Sequence, residues 1–126
     1  MSSMKNLLII FLFFFGFVSA QNKKYNPEEI NITPLIEGTL IVPQIDKKPA
    51  LAIIIGDSGP TDRNGNQQMM ENNSLKFLAE GLYANNIASF RYDKRLVKQM
   101  KLRSLNEKNI RFDHFIDDAV AILEHF

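Results

Sequence analysis

Residues 56–66 read Gly56-Asp57-Ser58-Gly59-Pro60-Thr61-Asp62-Arg63-Asn64-Gly65-Asn66, a run of hydroxyl, carboxylate and amide side chains interleaved with glycine and proline. One chemistry such a run could carry is calcium binding through Asp62, Asn64 and Asn66. It fails on spacing, because the glycine falls one position early for a twelve-residue calcium loop and no bidentate Glu follows where it is needed. A second chemistry is nucleophilic attack by the Ser58 hydroxyl. That requires a general base, most often His. His114 and His125 both lie far downstream, and two histidines are too few for a metal cluster. The chain has no cysteine, which excludes disulfides, Cys-ligated zinc and a lipid-modified cysteine at a processing site.

The elements around this run must position it. Gly38-Thr39-Leu40-Ile41-Val42-Pro43 has strand propensity and is closed by proline. Asp46-Lys47-Lys48-Pro49 predicts a turn. The apolar run Ala50 to Ile55 predicts a strand buried on both faces. Asn64-Gly65 is a tight-turn pair. A helix follows, capped by Asn73 or Ser74, with Leu75, Leu78, Ala79, Leu82 and Tyr83 on one face and Asn85-Asn86 at its end. Gly81 inside it costs about 1 kcal/mol relative to Ala, which only close packing would offset.

Ile87 to Tyr92 is the next strand, and Asp93 opens a charged loop. A last helix starts near Asp113, with Phe112, Phe115, Ile116, Ala119, Ile122, Leu123 and Phe126 sharing a broad apolar face. Asp113, Asp117 and Asp118 lie toward its N-terminus, where the helix dipole favours them. Strand, helix, strand is a βαβ unit, which predicts an α/β fold with a mostly parallel sheet and flanking helices. The final helix has no strand after it, so the predicted domain is incomplete at its C-terminus.

Residues 1–20 read as an address. Lys5 precedes an apolar run of about twelve residues, and Val18-Ser19-Ala20 places small residues before Gln21, the order of a signal peptide cleaved after Ala20. A spanning helix needs roughly twenty apolar residues, so no stable membrane span is expected after cleavage. Residues 21–36 form a polar leader, and 37–126 the domain. The expected location is periplasmic or secreted.

With 45% hydrophobic and 23% charged residues the chain is of globular type. Its 15 Lys and Arg against 14 Asp and Glu give +1, and Lys5 is the only charged residue before Gln21. The processed chain is therefore electrically balanced and offers no footprint for nucleic acid. The basic stretch from Lys94 to Arg111 reads as a solvated loop.

Gly56-Asp57-Ser58-Gly59-Pro60 is one glycine short of the nucleophile motif of chymotrypsin-like proteases, but no histidine precedes Ser58 and the setting is βαβ. Gly56-Asp57-Ser58 after an apolar strand also resembles the first block of the GDSL esterases, in which the serine is the nucleophile. There Gly59 replaces a leucine, and the later Asp-x-x-His block is absent.

A wider resemblance uses the whole segment. Ile53 to Asn66, then Asn73 with Leu75 to Leu82, then Ile87 to Arg95, and Asp117-Asp118-Ala119-Val120 resemble exported bacterial α/β hydrolases of the serine esterase and serine aminopeptidase kind. The resemblance covers roughly residues 38–126. It implies a partial α/β-hydrolase fold in which the loop after the Ile-rich strand lies over the acyl group and gives one backbone N–H to the oxyanion hole. By position that donor comes from Asp57 or Ser58, beside Gly59. Pro60 stiffens the loop, and Asp62, Arg63, Asp93 and Arg95 hold its shape. No cofactor or metal is implied, and no catalytic residue lies in this sequence.

Two substitutions depart from the family pattern. Asp57 stands where glycine is usual, and a carboxylate beside a developing oxyanion is unfavourable unless it points away. Leu96 to Met100 replace a Gly-x-Gly-x-Ser continuation. The Gly-x-Ser-x-Gly nucleophile elbow, the acid and the histidine are absent. The expected function is the N-terminal segment of an exported serine hydrolase acting on a small ester or peptide. The rivals are a GDSL-type esterase using Ser58 and an exported binding module without chemistry.

Overall fold

The computed structural model describes residues 25–126. The predicted signal peptide lies outside the described residues. In chain order the elements are β1 (Pro27–Thr33), β2 (Ile36–Ile41), β3 (Leu51–Ile54), α1 (Ser74–Ala84), β4 (Ala88–Tyr92), α2 (Arg95–Lys101), a 3-10 turn (Glu107–Asn109) and α3 (Phe112–His125).

The four strands form one sheet in the order β1-β2-β4-β3. β1 and β2 are joined only by Pro34 and Leu35, a connection so short that it enforces antiparallel pairing. β2 pairs antiparallel with β4, with Gly38 opposite Tyr92 and Ile41 opposite Ser89. Only β3 and β4, linked through α1, run parallel. The predicted mostly parallel α/β-hydrolase sheet is therefore corrected to a small mixed sheet with two antiparallel pairs and one parallel pair. The βαβ unit is present, but the prediction assigned no strand to residues 27–33. Those residues fell in the stretch read as a polar leader, where Glu28, Glu29 and Asn31 obscure the strand signal.

Strand alternation sends side chains to two faces. On one face Ile36, Phe90 and Tyr92, flanked by Ile30, Ile32, Leu40 and Ile53, pack under Ile122 and Ala121 of α3. On the other, Ile41 and Ile54 pack under Ala79, Tyr83, Leu75 and Leu82 of α1. The Phe90 ring reaches over Gly38, two residues along β2 from its own partner Leu40, and leaves no room for a side chain there. A Cβ there would lie 2.4 Å from Phe90 Cζ and 2.6 Å from the Arg91 carbonyl.

Three further expectations change. β3 lies at the sheet edge and is half-exposed, because β4 lies on one side of it and no described strand on the other. The charged stretch after Asp93 contains α2, anchored by buried Leu96. The apolar face of α3 is only partly used: Ile122 is buried, while Phe112 and Leu123 are exposed. Among the described residues no helix is long and apolar enough to cross a membrane.

Candidate functional site

The 56–66 loop leaves the C-terminal end of β3 and returns into α1. In α/β sheets this strand end is where ligands are received. Its far half is a closed turn. Asp62 Oδ1 accepts from the amides of Asn64 at 2.8 Å and Asn66 at 2.9 Å, and the Gly65 amide donates to the Asp62 carbonyl at 3.0 Å. Gly65 takes φ 92°, and a Cβ there would meet Ser74 Oγ at 2.6 Å, so this turn requires glycine.

The cap of α1 differs from the expectation. Asn73 is left-handed and makes no side-chain cap bond. Instead Asn72 Oδ1 accepts from the Ser74 amide at 2.9 Å, and the Asn64 carbonyl accepts from Leu75 at 3.0 Å. Asn66 Oδ1 gathers the Asn72 and Asn73 amides, each at 2.9 Å.

In the near half of the loop both successive carbonyls are held. The Asp57 carbonyl accepts from Lys94 Nζ, and Thr61 Oγ1 lies 3.2 Å from it and 3.2 Å from the Ser58 carbonyl. Gln67 Nε2 donates to the Ser58 carbonyl and to Thr61 Oγ1, both at 2.9 Å. Among the described residues no peptide bond is cis, so each N–H there points opposite to the C=O of its own peptide group. With the Asp57 carbonyl held by Lys94 and Thr61, the Ser58 N–H is turned away from them. It is met by the Asp57 carboxylate, whose Oδ1 accepts it at 2.7 Å. Asp57, Ser58 and Gly59 are exposed, and Gly59 takes φ 82°. Of the two candidate oxyanion donors, Ser58 N–H is the one whose direction is set.

Behind the loop lies a charge cluster. Arg63 Nη2 donates to Asp93 Oδ2 at 3.0 Å, its backbone amide donates to Asp93 Oδ1 at 2.8 Å, and its Nη1 reaches Glu29 and Thr39 Oγ1. Burial alone would lower the Arg63 pKa, but Asp93 and Glu29 raise it above the ordinary value. Burial would raise that of Glu29, and the bonds from Thr39 and Arg63 outweigh it, so Glu29 titrates below the usual carboxylate range. Arg91 lies nearby with its Nη1 buried and without a hydrogen-bond partner.

Lys94 sits 5.4 Å from the Phe115 ring centroid, and burial pushes its pKa down, partly offset by Asp57. The sequence-predicted residues thus divide. Asp62, Arg63 and Asp93 are bonded to the loop itself. Pro60 lines a cleft of about 350 Å³ with Gln67, Val97 and Met100. Arg95 turns away, donating through Nε to Asp118 Oδ2 at 2.7 Å and so tying α2 to α3. That bond and the charges of Asp118 and Asp117 raise the Arg95 pKa above the ordinary value, against burial, which lowers it.

Sequence reasoning missed Lys94, Thr61 and Gln67 as loop clamps, and Glu29 as an ion-pair partner. Lys94 lies inside the Asp93-Lys94-Arg95 run already singled out, which is the one signal that pointed to it. His114 lines a cleft of about 140 Å³ together with Arg95 and Ser104, and the His125 ring packs edge-on against Phe126. Among the described residues no group of three or more His, Cys, Asp or Glu is arranged to hold a metal ion.

Comparison with known proteins finds no matching family model, no matching curated relative and no matching solved structure.

Proposed function

We propose that this chain supplies the oxyanion loop of an exported serine hydrolase that cleaves a carboxylic ester or peptide amide. One observation carries the reading: the Ser58 N–H stands on an exposed loop at the end of β3, with its peptide carbonyl held by Lys94 and Thr61. The loop between that strand and the first helix is where α/β hydrolases place one oxyanion donor. When a serine attacks the substrate carbonyl carbon, the C=O π electrons move to oxygen. A preorganised N–H aimed at that oxygen stabilises the charge as it forms. The serine, acid and histidine come from chain beyond these residues. The Asp57 carboxylate occupies the donor in the absence of substrate and must rotate away for the oxyanion to take its place.

The test is active-site labelling of the exported polypeptide with a fluorophosphonate, followed by mapping of the labelled serine. The reading expects the label outside residues 25–126 and retained in Ser58→Ala, which keeps the backbone N–H. Label on Ser58 would instead establish the GDSL-type mechanism. Absence of label in the exported fraction overturns hydrolysis altogether.

A further inference from the structure

We infer that Lys94 is a positioning residue for the Ser58 amide, orienting and polarising that N–H through the Asp57–Ser58 peptide group. The inference deepens the hydrolase reading and rests on it for its functional meaning, although its geometry is independent of it.

The path from the charge to the donor is a single planar unit. Lys94 Nζ donates to the Asp57 carbonyl oxygen, and the amide of the same peptide group is that of Ser58. A cation on the carbonyl oxygen draws electron density from the amide nitrogen, which makes the N–H a stronger donor, since hydrogen-bonded groups polarise one another. Rotation of the plane would break the bonds to Lys94 and Thr61 together. Lys94 is itself held at both ends. Its backbone amide donates to the Thr61 carbonyl at 3.3 Å, and its ammonium lies over the Phe115 ring of α3. This stitches the end of β4 to the loop after β3, so the donor's direction depends on the β3–β4 pairing and on the docking of α3.

The charged groups around Lys94 leave its ammonium to this task. From the loop, Asp57 faces it; from α3, the neutral Phe115 ring does. Its chain neighbour Asp93 is engaged by Arg63 and approached by Lys101, and Arg95 is paired with Asp118. Burial lowers the Lys94 pKa, so the ammonium loses its proton at a pH below that of an exposed lysine.

The experiment follows the Ser58 amide resonance of the full chain by 15N NMR across the alkaline range, in wild type, Lys94→Arg and Lys94→Met. In wild type the Ser58 amide should shift along the titration of the Lys94 amine. Lys94→Arg keeps the charge but does not titrate, so Ser58 should stay near its neutral-pH position throughout. Lys94→Met should be equally flat and start near the alkaline position. A Ser58 resonance that does not move in wild type while the Lys94 amine titrates overturns the inference, as does an alkaline shift that persists in Lys94→Arg. These two conditions hold even where Lys94→Met does not fold. Fluorophosphonate labelling judges the hydrolase reading separately, so failure of one leaves the other legible.

Discussion

Arg63 and Asp93 stand thirty residues apart in sequence and meet at three points. The Arg63 backbone amide and Nε donate to Asp93 Oδ1 at 2.8 and 3.3 Å, and Nη2 donates to Oδ2 at 3.0 Å. The pair joins the loop after β3 to the end of β4, and the Asp93 side chain is only 6% exposed. Removing one partner strands the other charge in a desolvated place. Arg63→Met or Asp93→Ala should each cost about 3 kcal/mol of folding stability. Chemical denaturation measures it, and a loss of unfolding free energy of only a few tenths of a kcal/mol would show the pair to be solvated.

Gly81 behaves in the opposite way. It occupies the interior of α1, and a Cβ there would find nothing within 4 Å. Among the described residues, the close packing that would offset its cost is absent. Gly81→Ala should stabilise the protein by about 1 kcal/mol, read as a rise in the thermal midpoint. A loss of stability would mean that α1 has a neighbour beyond the described residues.

At Gly38 the space is already taken by a backbone oxygen and the edge of a buried ring. The Arg91 carbonyl cannot retreat without breaking the β2–β4 register. Gly38→Ala should therefore destabilise by about 1–3 kcal/mol. Phe90→Leu in the same background, which removes the ring edge, should recover part of that loss in a double-mutant cycle.

The Glu29 carboxyl titrates lower in the folded chain than when unfolded. A group with a depressed folded pKa contributes stability above its unfolded value, and the contribution is lost as pH falls through the folded one. Stability should therefore drop on acidification below the ordinary carboxylate range. Glu29→Gln should flatten that part of the pH profile while leaving the neutral-to-alkaline part unchanged. Identical acid limbs in the two proteins would show that Glu29 carries none of the effect.

Asp57 competes for the donor that the proposed chemistry needs, its Oδ1 lying 2.7 Å from the Ser58 nitrogen. On the proposed hydrolase reading, Asp57→Gly should raise kcat/KM on a neutral ester on the order of tenfold, the equivalent of one displaced hydrogen bond. Steady-state kinetics on a p-nitrophenyl ester decides this. A fall in kcat/KM would mean that the carboxylate helps to shape the loop.

Parts of this protein were legible because their causes are local. The helix predicted after Asn73 forms as α1 because its apolar residues recur at helical spacing. The Asn64-Gly65 turn forms because Gly65 accepts a positive φ. The strand at residues 27–33 was not legible. Its outward residues are Glu and Asn, and the apolar Ile30 and Ile32 gain their meaning only against Ile36 and Phe90. The capping of α1 was misread for a related reason. The partners that satisfy its first amides, Asn64 O and Asn72 Oδ1, are set by the fold of the loop rather than by the residue at the cap position. In the site, the loop and its small residues were legible, and so were the bonds of Asp62, Arg63 and Asp93. The clamps Lys94 and Gln67 were not, because a lysine or glutamine in a polar stretch carries no mark of the carbonyl it will reach.

Local sequence set the pieces: where α1, α3 and the Asn64-Gly65 turn form, and which residues are small enough to crowd a loop. Those follow from interactions within a few residues of chain. Tertiary structure decided the strand order, which inserts β4 between β2 and β3 and leaves two of the three pairings antiparallel. It also decided the direction of the Ser58 N–H, through a lysine thirty-seven residues from the carbonyl it holds. Both depend on bonds between groups remote in sequence. No local pattern encodes such bonds, and only closure of the sheet brings their partners within reach.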